Sequence, residues 1–320
     1  MSLRLPSGTR DVLPEEMAER RRIERALLDT FADAGYGEVS TPELEYPETL
    51  ERGRLTAPYR VTSDTGEELA LRADMTGPIA RLAVTRYAEA ELPLRFCFSA
   101  AVHRAVRPGK GQAREVQQSG IELLGAPGPG GTVEAITLLA RSLEASGLAE
   151  FSIGVGDIAL YPGLLDDLGV GDGEQALLLD ALGARDFVAI AGLVDSMNLE
   201  PEAARLLAEV PTMRGGPEVL EAAEPLGGRA SALRELVGAL DADVSARVIV
   251  DLGRFPRMGY YTGAVFEVYD PAVGEPLASG GRYDELLARF GRPLEAVGFA
   301  IDVDRLHAAI AGEELGETAR

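Results

Sequence analysis

The sequence is poor in residues that could hold a metal ion or form a disulfide: it has one cysteine and two histidines among 320 residues. Cys97 alone cannot form an internal disulfide or a cysteine-rich zinc site. A zinc site built on His103 and His307 would need distant acidic ligands, and a Ser-His-Asp triad would lack a nucleophile elbow. We therefore expect no metal, no cofactor and a reducing compartment, the cytoplasm.

Long apolar runs and an excess of positive charge are missing as well. No stretch approaches the roughly 18 apolar residues of a membrane-spanning helix, and the first residues, MSLRLPSGTRDV, lack the apolar core of a signal peptide. We therefore expect no membrane partner. The net charge of −21, from 31 basic and 52 acidic residues, argues mildly against a nucleic-acid partner. A soluble surface or a salt-tolerant or thermophilic source explains this charge equally well.

Apolar residues at helical spacing predict three helices in the first half of the chain. Residues 14 to 35 carry a stripe with a period of 3.6 residues that ends at Gly35. A second helix is predicted over residues 76 to 89, and a third is predicted to start with Thr132 as its cap and to end near Gly147. Between the last two helices, an antiparallel hairpin is predicted. Its strands are residues 95 to 104 and 114 to 124, and a Pro/Gly/Lys turn joins them.

The second half of the chain changes character twice. Residues 160 to 246 are rich in Ala, Leu, Glu and Asp and predict a small helical insertion. Strand character then returns, with a turn expected at the glycines 280 and 281. These patterns predict an α+β fold, with an antiparallel sheet flanked by helices, in a discontinuous domain of residues 1 to 159 and 247 to 312. Residues 313 to 320 are expected to form a frayed tail.

The fragment GVGDIA, residues 154 to 159, matches the glycine pattern of a dinucleotide-binding loop. That pattern requires a βαβ unit and a ribose-binding acid about 20 residues further on. The surrounding sequence indicates antiparallel strands, and Asp172 lies in a glycine-rich loop. We therefore interpret the fragment as a tight turn and exclude a dehydrogenase.

The second strand of the hairpin carries polar residues on one face. Because side chains alternate along a strand, six residues share that face: Arg114, Val116, Gln118, Gly120, Glu122 and Leu124. A solvated face is one explanation of Gln118 and Glu122. A ligand-binding face is the other, and it is favoured because a central strand is rarely open to water along one whole side.

Five blocks of sequence carry a family resemblance in their order and spacing. They are LPSGTRDVLPEE, LRADMTGPIAR, the hairpin, GYYTGAVFEVYD, and GGRYDELLARFG followed by VGFAIDVDRL. Together they resemble the catalytic domain of class II histidyl-tRNA synthetases, and the resemblance covers most of the chain. It implies the class II synthetase-like antiparallel sheet.

The resemblance also implies a histidine pocket. Gln118 and Glu122 match the amide and the acid that bind the ammonium group and the imidazole edge in that family. Asp74 falls where the family places a glutamate, and Asp74 and Thr76 would hold the α-amino group. These side chains suit that task, because acids and amides accept hydrogen bonds from a cation and from a ring N–H.

Four further positions follow from the same resemblance. Tyr260 and Tyr261 match the tyrosine pair that closes over the imidazole ring. Arg104 matches the arginine that binds the α-phosphate and the carboxylate, and Arg305 matches the arginine at the ATP tail. Guanidinium groups are suited to both phosphate and carboxylate. Arg104 and Arg305 would therefore mark a vestigial nucleotide site.

Several positions depart from the synthetase pattern. Pro256 stands where the synthetases have an arginine, and Arg257 is one place away, which on a strand means the opposite face. Val106 replaces an ATP-orienting glutamate, and Gln112 replaces another arginine. An arginine that stabilises a transferring group commonly contributes several kcal/mol, so these losses predict that adenylation is abolished. The chain also ends soon after the last block, so we expect no anticodon-binding domain and no tRNA partner.

This combination is similar to the synthetase-like regulatory subunit family of ATP phosphoribosyltransferase. The resemblance implies a non-catalytic subunit that assembles with a short-form catalytic subunit. It also implies that this subunit is required for transferase activity and for feedback by histidine in the first step of histidine biosynthesis. Class II cores usually dimerise near the segment that corresponds to residues 36 to 52, so a homodimer is expected.

Two alternatives remain open at this point. One is a histidine-activating ligase related to histidyl-tRNA synthetase, in which Arg257 takes the lost role after a local bulge. The other is a stand-alone histidine-binding protein that has no transferase partner.

Overall fold

The computed structural model of the protein describes residues 3–53, 58–105, 113–222, 224–256 and 259–318. The α-helices within these residues are α1 Pro14–Asp33, α2 Pro47–Arg52, α3 Thr76–Arg86, α4 Gly128–Ala145, α5 Leu160–Asp167, α6 Asp172–Ala184, α7 Phe187–Ser196, α8 Pro201–Glu209, α9 Val219–Ala222, α10 Ser231–Gly238, α11 Ala242–Ser245 and α12 Val303–Thr318. The strands are β1 Gly37–Glu38, β2 Leu44–Glu45, β3 Arg60–Thr62, β4 Glu68–Leu71, β5 Leu94–His103, β6 Glu115–Leu124, β7 Ser152–Asp157, β8 Arg214–Gly215, β9 Val248–Asp251, β10 Ala264–Tyr269, β11 Ala278–Arg282 and β12 Ala296–Asp302.

A nine-stranded sheet forms the centre of the fold, in the order β1-β5-β6-β12-β11-β10-β7-β9-β8. Its neighbouring strands are antiparallel except for the parallel pairs β1–β5 and β7–β9. A separate three-stranded sheet has the order β2-β4-β3. The predicted α+β class with a large, mainly antiparallel sheet is confirmed, and the two parallel pairs are an addition to it.

The predicted hairpin is present as β5 and β6, which pair from Leu94 opposite Leu124 to His103 opposite Glu115. Side-chain alternation on β6 divides the core into two. Ile121 joins the buried cluster that contains residues of helices α1 and α4, whereas Leu124 joins a second cluster with residues of α3. Both faces of the hairpin are therefore covered, as expected for a central strand.

Helix α1 follows the predicted stripe, with Ile23, Leu27 and Phe31 buried and Gly35 at a φ of +84° just after its end. Helix α4 begins at Gly128 rather than at the predicted cap Thr132, which lies inside the helix. The prediction was wrong because a proline is well suited to the first turn of a helix, so the Pro/Gly stretch is helical rather than a loop.

Two glycine-rich predictions were also wrong. Gly280 and Gly281 lie inside strand β11 instead of forming a turn. A Cβ at Gly281 would come within 2.8 Å of the Tyr261 ring, so the glycines allow close packing across the sheet. The GVGDIA fragment is likewise not a tight turn, because Gly154 and Gly156 lie inside strand β7.

The end of the described chain is helical rather than frayed, since α12 continues to Thr318. The Glu313 carboxylate accepts backbone N–H groups of Ala149 at 3.0 Å and Glu150 at 2.8 Å, which ties this helix to the segment before β7. The predicted tail at 313 to 320 was therefore wrong for its helical part.

Residues 160 to 246, called the helical segment below, hold α5 to α11 and the short strand β8. Buried residues of this segment, such as Tyr161 and Leu233, belong to the same hydrophobic cluster as Val250 and Phe266 of the sheet. Its helical character is as predicted, whereas its boundaries as a separate unit stay a prediction. In the described part of the chain, no helix combines the length and apolar character needed to cross a bilayer.

Candidate ligand-binding site

A cavity of about 480 Å³ lies on one face of the large sheet. Strands β6, β12, β11 and β10 contribute to its lining, and the residues around the start of α3 form another wall. This volume is in the range of sites for drug-sized ligands, so it has room for more than one small amino acid.

Asp74 lies just before α3 in the cavity wall. Its Oδ1 accepts the backbone N–H of Gly77 at 3.4 Å, while its buried Oδ2 has no hydrogen-bond partner among the described residues. Burial raises the pKa of Asp74 from its ordinary 3.8 to about 6. This carboxyl is thus placed to accept a further N–H donor.

Glu122, on β6, is the second acid of the cavity and is only 3% exposed. Its carboxylate accepts hydrogen bonds from the hydroxyls of Tyr283 and Thr76. Burial, reinforced by the nearby Asp74 carboxyl, raises the pKa of Glu122 to about 8 despite these hydrogen bonds. The carboxylate lies over Gly298, where a Cβ would overlap Glu122 Oε2, so the glycine keeps this position open.

Gln118 lies on the same face of β6 as Glu122 and points into the same cavity. It is 7% exposed, and its Oε1 is buried without a partner among the described residues. A buried amide oxygen without a donor costs free energy. It therefore marks another place where a bound N–H group would be favoured.

Three tyrosines contribute to the aromatic part of the wall, which also includes Phe98, Phe266 and Phe299. The rings of Tyr260 and Tyr261 are 4.7 Å apart between centroids, and those of Tyr260 and Tyr283 are 5.7 Å apart and nearly perpendicular. Burial raises the pKa of Tyr261, and the carboxylates of Glu122, Asp74 and Glu267 add to this effect. Tyr261 therefore shares the cavity with three acids, and its ring face offers a surface on which a flat cationic ring could stack.

The two predicted arginines differ in their placement. Arg104 lines the cavity and is exposed. Arg305 lies outside the lining: its Nη1 donates to the carbonyl of Pro276 at 2.7 Å, and its Nε lies 3.3 Å from Asp302 Oδ2. The structure thus does not bring Arg305 to the cavity.

All seven residues of the predicted histidine pocket line this one cavity: Asp74, Thr76, Arg104, Gln118, Glu122, Tyr260 and Tyr261. The sequence reasoning missed Tyr283, Arg254 and Glu267, which also line it. The isolated acid in the apolar strand AVFEVY was the available signal for Glu267. Pro256 lines the cavity too, whereas Val106, Gln112 and Arg257 lie outside the described residues.

Arg254 is 7% exposed and is held by two side chains of β10. Its Nη1 forms an ion pair with Glu267 Oε2, and its Nη2 donates to the Tyr269 hydroxyl at 3.3 Å. Its Nε is buried without a partner among the described residues. A cation is therefore present in the cavity wall, with its charge compensated by the neighbouring strand.

Comparison with known proteins first defines the class. The family model for histidyl-tRNA synthetase matches residues 8–306. The crystal structure of histidyl-tRNA synthetase from Nostoc sp. PCC 7120 superposes with a TM-score of 0.82 at 20% identity and covers 98% of this chain and 76% of that one. The protein thus has the fold of a class II histidyl-tRNA synthetase.

Closer relatives define the family within that class. The ATP phosphoribosyltransferase regulatory subunit of Moorella thermoacetica is 42% identical over 100% of this chain and 84% of its own length. The crystal structure of an ATP phosphoribosyltransferase regulatory subunit/histidyl-tRNA synthetase from Bacillus halodurans C superposes with a TM-score of 0.91 at 33% identity and covers 96% of this chain and 83% of that one. The chain belongs to the family of ATP phosphoribosyltransferase regulatory subunits.

Proposed function

We propose that this chain is a non-catalytic regulatory subunit that a short-form ATP phosphoribosyltransferase catalytic subunit requires for activity. We further propose that histidine bound in the cavity inhibits that enzyme, the first of histidine biosynthesis. One observation carries the proposal: in a chain of this family, the cavity contains two buried acceptors, Asp74 Oδ2 and Gln118 Oε1, for which the described residues supply no donor.

Histidine fits the chemistry of the cavity. Its ammonium group supplies N–H donors for Asp74 Oδ2 and Gln118 Oε1, which have no partner among the described residues. Its imidazole ring has a flat face for the tyrosine pair and an N–H for Glu122. Its carboxylate can pair with Arg104, the exposed guanidinium of the lining.

The cavity wall also supports a non-catalytic role. Pro256 lies in the lining at the position where the resemblance places the arginine of adenylation. A proline has no charge with which to stabilise a developing phosphoryl charge, whereas an arginine at such a position commonly lowers the barrier by several kcal/mol. The nearby Arg254 is engaged by Glu267 and Tyr269 instead.

The experiment is to co-express the chain with a short-form ATP phosphoribosyltransferase, purify the complex and measure transferase activity with and without the chain. We expect activity only in the complex, inhibited by histidine, and a loss of inhibition in the Glu122→Gln variant. A transferase that is equally active alone overturns the regulatory role and leaves a stand-alone histidine-binding protein. Unchanged inhibition in the variant removes the cavity from the feedback mechanism.

A second candidate function is a histidine-activating ligase, which Arg254 favours because it brings a guanidinium into the cavity wall. Incubation of the chain with histidine, ATP and labelled pyrophosphate distinguishes the two functions. The regulatory role predicts no exchange of label into ATP, whereas the ligase predicts exchange that Arg254→Met abolishes.

A homodimer is part of the proposed assembly. Its interface would include residues 36 to 52, which hold β1 at the edge of the large sheet and β2 at the edge of the small one. Leu44 and Tyr46 in this stretch are 44% and 56% exposed. Apolar side chains at neighbouring positions on an edge are suited to cover by a second copy.

A further inference from the structure

A chain of alternating charges leads from the cavity wall to the helical segment. It consists of Glu267, Arg254, Asp251 and Arg185, and is called the ion-pair chain below. Glu267 and Arg254 line the cavity, Asp251 ends strand β9, and Arg185 follows helix α6. These residues come from three separate parts of the sequence and meet beside strand β7.

At the centre of this chain, two arginines approach one oxygen atom of Asp251. Asp251 is fully buried, and its Oδ2 lies 3.1 Å from Arg185 Nη1 and 3.8 Å from Arg254 Nη2. Its other oxygen accepts the backbone N–H of Gly253 at 3.2 Å. In this arrangement Arg185 holds Asp251 closely, and Arg254 is held by Glu267.

Arg254 lies across two glycines of β7, with an acid on either side. Its guanidinium lies against Gly154, where a Cβ would come within 2.7 Å of Nη2, and its stem lies against Gly156. The strand therefore offers a smooth groove without side chains. Asp251 and Glu267 flank the same guanidinium. Nη2 of Arg254 lies 3.8 Å from Asp251 Oδ2. A shift of about 1 Å toward Asp251 would therefore bring these two atoms to hydrogen-bond distance.

Arg185 connects this pair to the helical segment. It adopts a left-handed conformation with φ of 55° as the C-cap of α6, and its guanidinium lies 5.4 Å from the ring centroid of Phe187, the first residue of α7. The Asp251–Arg185 ion pair therefore ties the α6–α7 junction to the sheet, in addition to the packing of Leu182 and Ile190 in the core.

We propose that the ion-pair chain transmits ligand occupancy from the cavity to the helical segment. An N–H of bound histidine that is not taken by Asp74, Gln118 or Glu122 engages Glu267 and releases Arg254, which moves onto Asp251 and weakens the ion pair of Asp251 with Arg185. The α6–α7 junction then loosens. This inference rests on the proposed function, since the loosened junction would be the signal that the transferase subunit reads.

Arg185 is the position for a test, because it is 46% exposed and lies outside the cavity. Arg185→Asn removes the ion pair while keeping a residue that accepts a positive φ, and Arg185→Lys keeps the charge. Arg205→Asn is the control: Arg205 is 50% exposed, and its ion pairs with described residues are those with Glu202 and Glu209 of its own helix α8. If Arg185→Asn folds poorly, Arg185→Gly replaces it, since glycine also adopts positive φ.

The first measurement is hydrogen exchange of the isolated full chain with and without histidine. We expect histidine to raise exchange over residues 182 to 192 in the wild type. Arg185→Asn should show the raised exchange without histidine, whereas Arg185→Lys and Arg205→Asn should behave as the wild type does. Because coupling is reciprocal, calorimetry should show equal or tighter histidine binding in Arg185→Asn.

The second measurement is histidine inhibition of the complex with the transferase. We expect the ratio of activities without and with histidine to fall about fivefold or more in Arg185→Asn, and to persist in Arg185→Lys. If the wild type binds histidine but exchange at the junction does not change, or if Arg185→Asn matches Arg205→Asn, this inference alone is overturned. If the wild type gives no heat with histidine, the proposed ligand fails, and the inference fails with it.

Discussion

Glu122 shows how a single residue can be costly for folding and useful for binding. Its carboxyl is 3% exposed, and only hydroxyl groups donate to it among the described residues. A buried acid in such surroundings is stable mainly in its protonated form. A ligand that brings its own N–H or positive charge would supply the missing compensation.

The stability of the chain should therefore depend on pH through Glu122. Its pKa rises from 4.5 to about 8 on folding. The folded chain thus retains a proton that the unfolded chain loses, and stability contributed by this group falls as pH rises across that window. We expect Glu122→Gln to gain on the order of a few kcal/mol over the wild type between about pH 5 and pH 8.

Urea denaturation at several pH values measures this gain. Glu115→Gln is the matched control, because Glu115 is an exposed residue of the same strand. A constant difference between Glu122→Gln and the wild type at all pH values would contradict a buried, protonated Glu122.

Tyr283 should be coupled to Glu122, since its hydroxyl donates to that carboxylate. Tyr283→Phe leaves a buried acceptor with one donor fewer, so we expect a loss of about 1–3 kcal/mol in the free energy of unfolding. In the Glu122→Gln background the loss should be smaller. The control Tyr87→Phe, at an exposed ring, should change stability by less than about 0.5 kcal/mol. Equal losses in both backgrounds would contradict the coupling.

For single residues, local patterns in the sequence identified part of the site. Alternation along β6 placed Gln118 and Glu122 on one face, and the family resemblance added the tyrosine pair. Arg254 could not be found this way, because it reaches the cavity only by crossing the glycines of β7 from the end of β9. That approach depends on the order of strands, which no local pattern specifies.

Among the elements, strand β7 is shaped by the arginine that crosses it. A Cβ at Gly154 would come within 2.7 Å of Arg254 Nη2. We therefore expect Gly154→Ala to lower the free energy of unfolding by about 1–3 kcal/mol through overpacking. Gly192→Ala is the control, because Gly192 lies in helix α7 with open space around it, and alanine should stabilise that helix by up to about 1 kcal/mol.

Urea midpoints of the two variants give the comparison directly. A Gly154→Ala chain as stable as the wild type would mean that the Arg254 side chain moves aside at no cost. It would also show that the groove is not needed to hold the guanidinium in place.

Helices and strands were predictable where one local rule dominated. The 3.6-residue stripe of α1 and the alternation of β6 both correspond to elements in the structure. Glycine was misleading at Gly280 and Gly281, because its lack of a side chain serves close packing there. The ring of Tyr261 occupies the space that a side chain at Gly281 would need, and Tyr261 is distant in sequence. A local rule therefore could not distinguish a glycine required for packing from one that forms a turn.

For the whole molecule, the proposed homodimer gives a prediction. Leu44→Asp puts a charge into the proposed interface at residues 36 to 52, and burying an unpaired charge is strongly unfavourable. We expect light scattering to show a dimer for the wild type and a monomer for Leu44→Asp.

Leu177→Asp provides the matched control, since Leu177 is 57% exposed on helix α6, outside that segment. It should remain a dimer. A wild-type monomer, or dissociation by both variants, would contradict the interface.

The fold class could be predicted from the whole sequence, but the strand order could not. Residue composition and strand-forming patterns separated a sheet-forming part of the sequence from a helical part. The placement of β12 between β6 and β11 joins residues from the first and second halves of the chain. Such contacts are decided by the packing of both sheet faces rather than by any one segment.

The interleaved order of the large sheet has a consequence for a chain cut within the helical segment. A protease that opened the backbone near Gly216 would produce two fragments, yet the seams β6–β12, β10–β7 and β7–β9 each join one fragment to the other. The two fragments would therefore remain associated, and the strands that line the cavity would keep their positions. Such a cut would be visible as two bands on a denaturing gel, whereas the mass of the protein in native solution would not change.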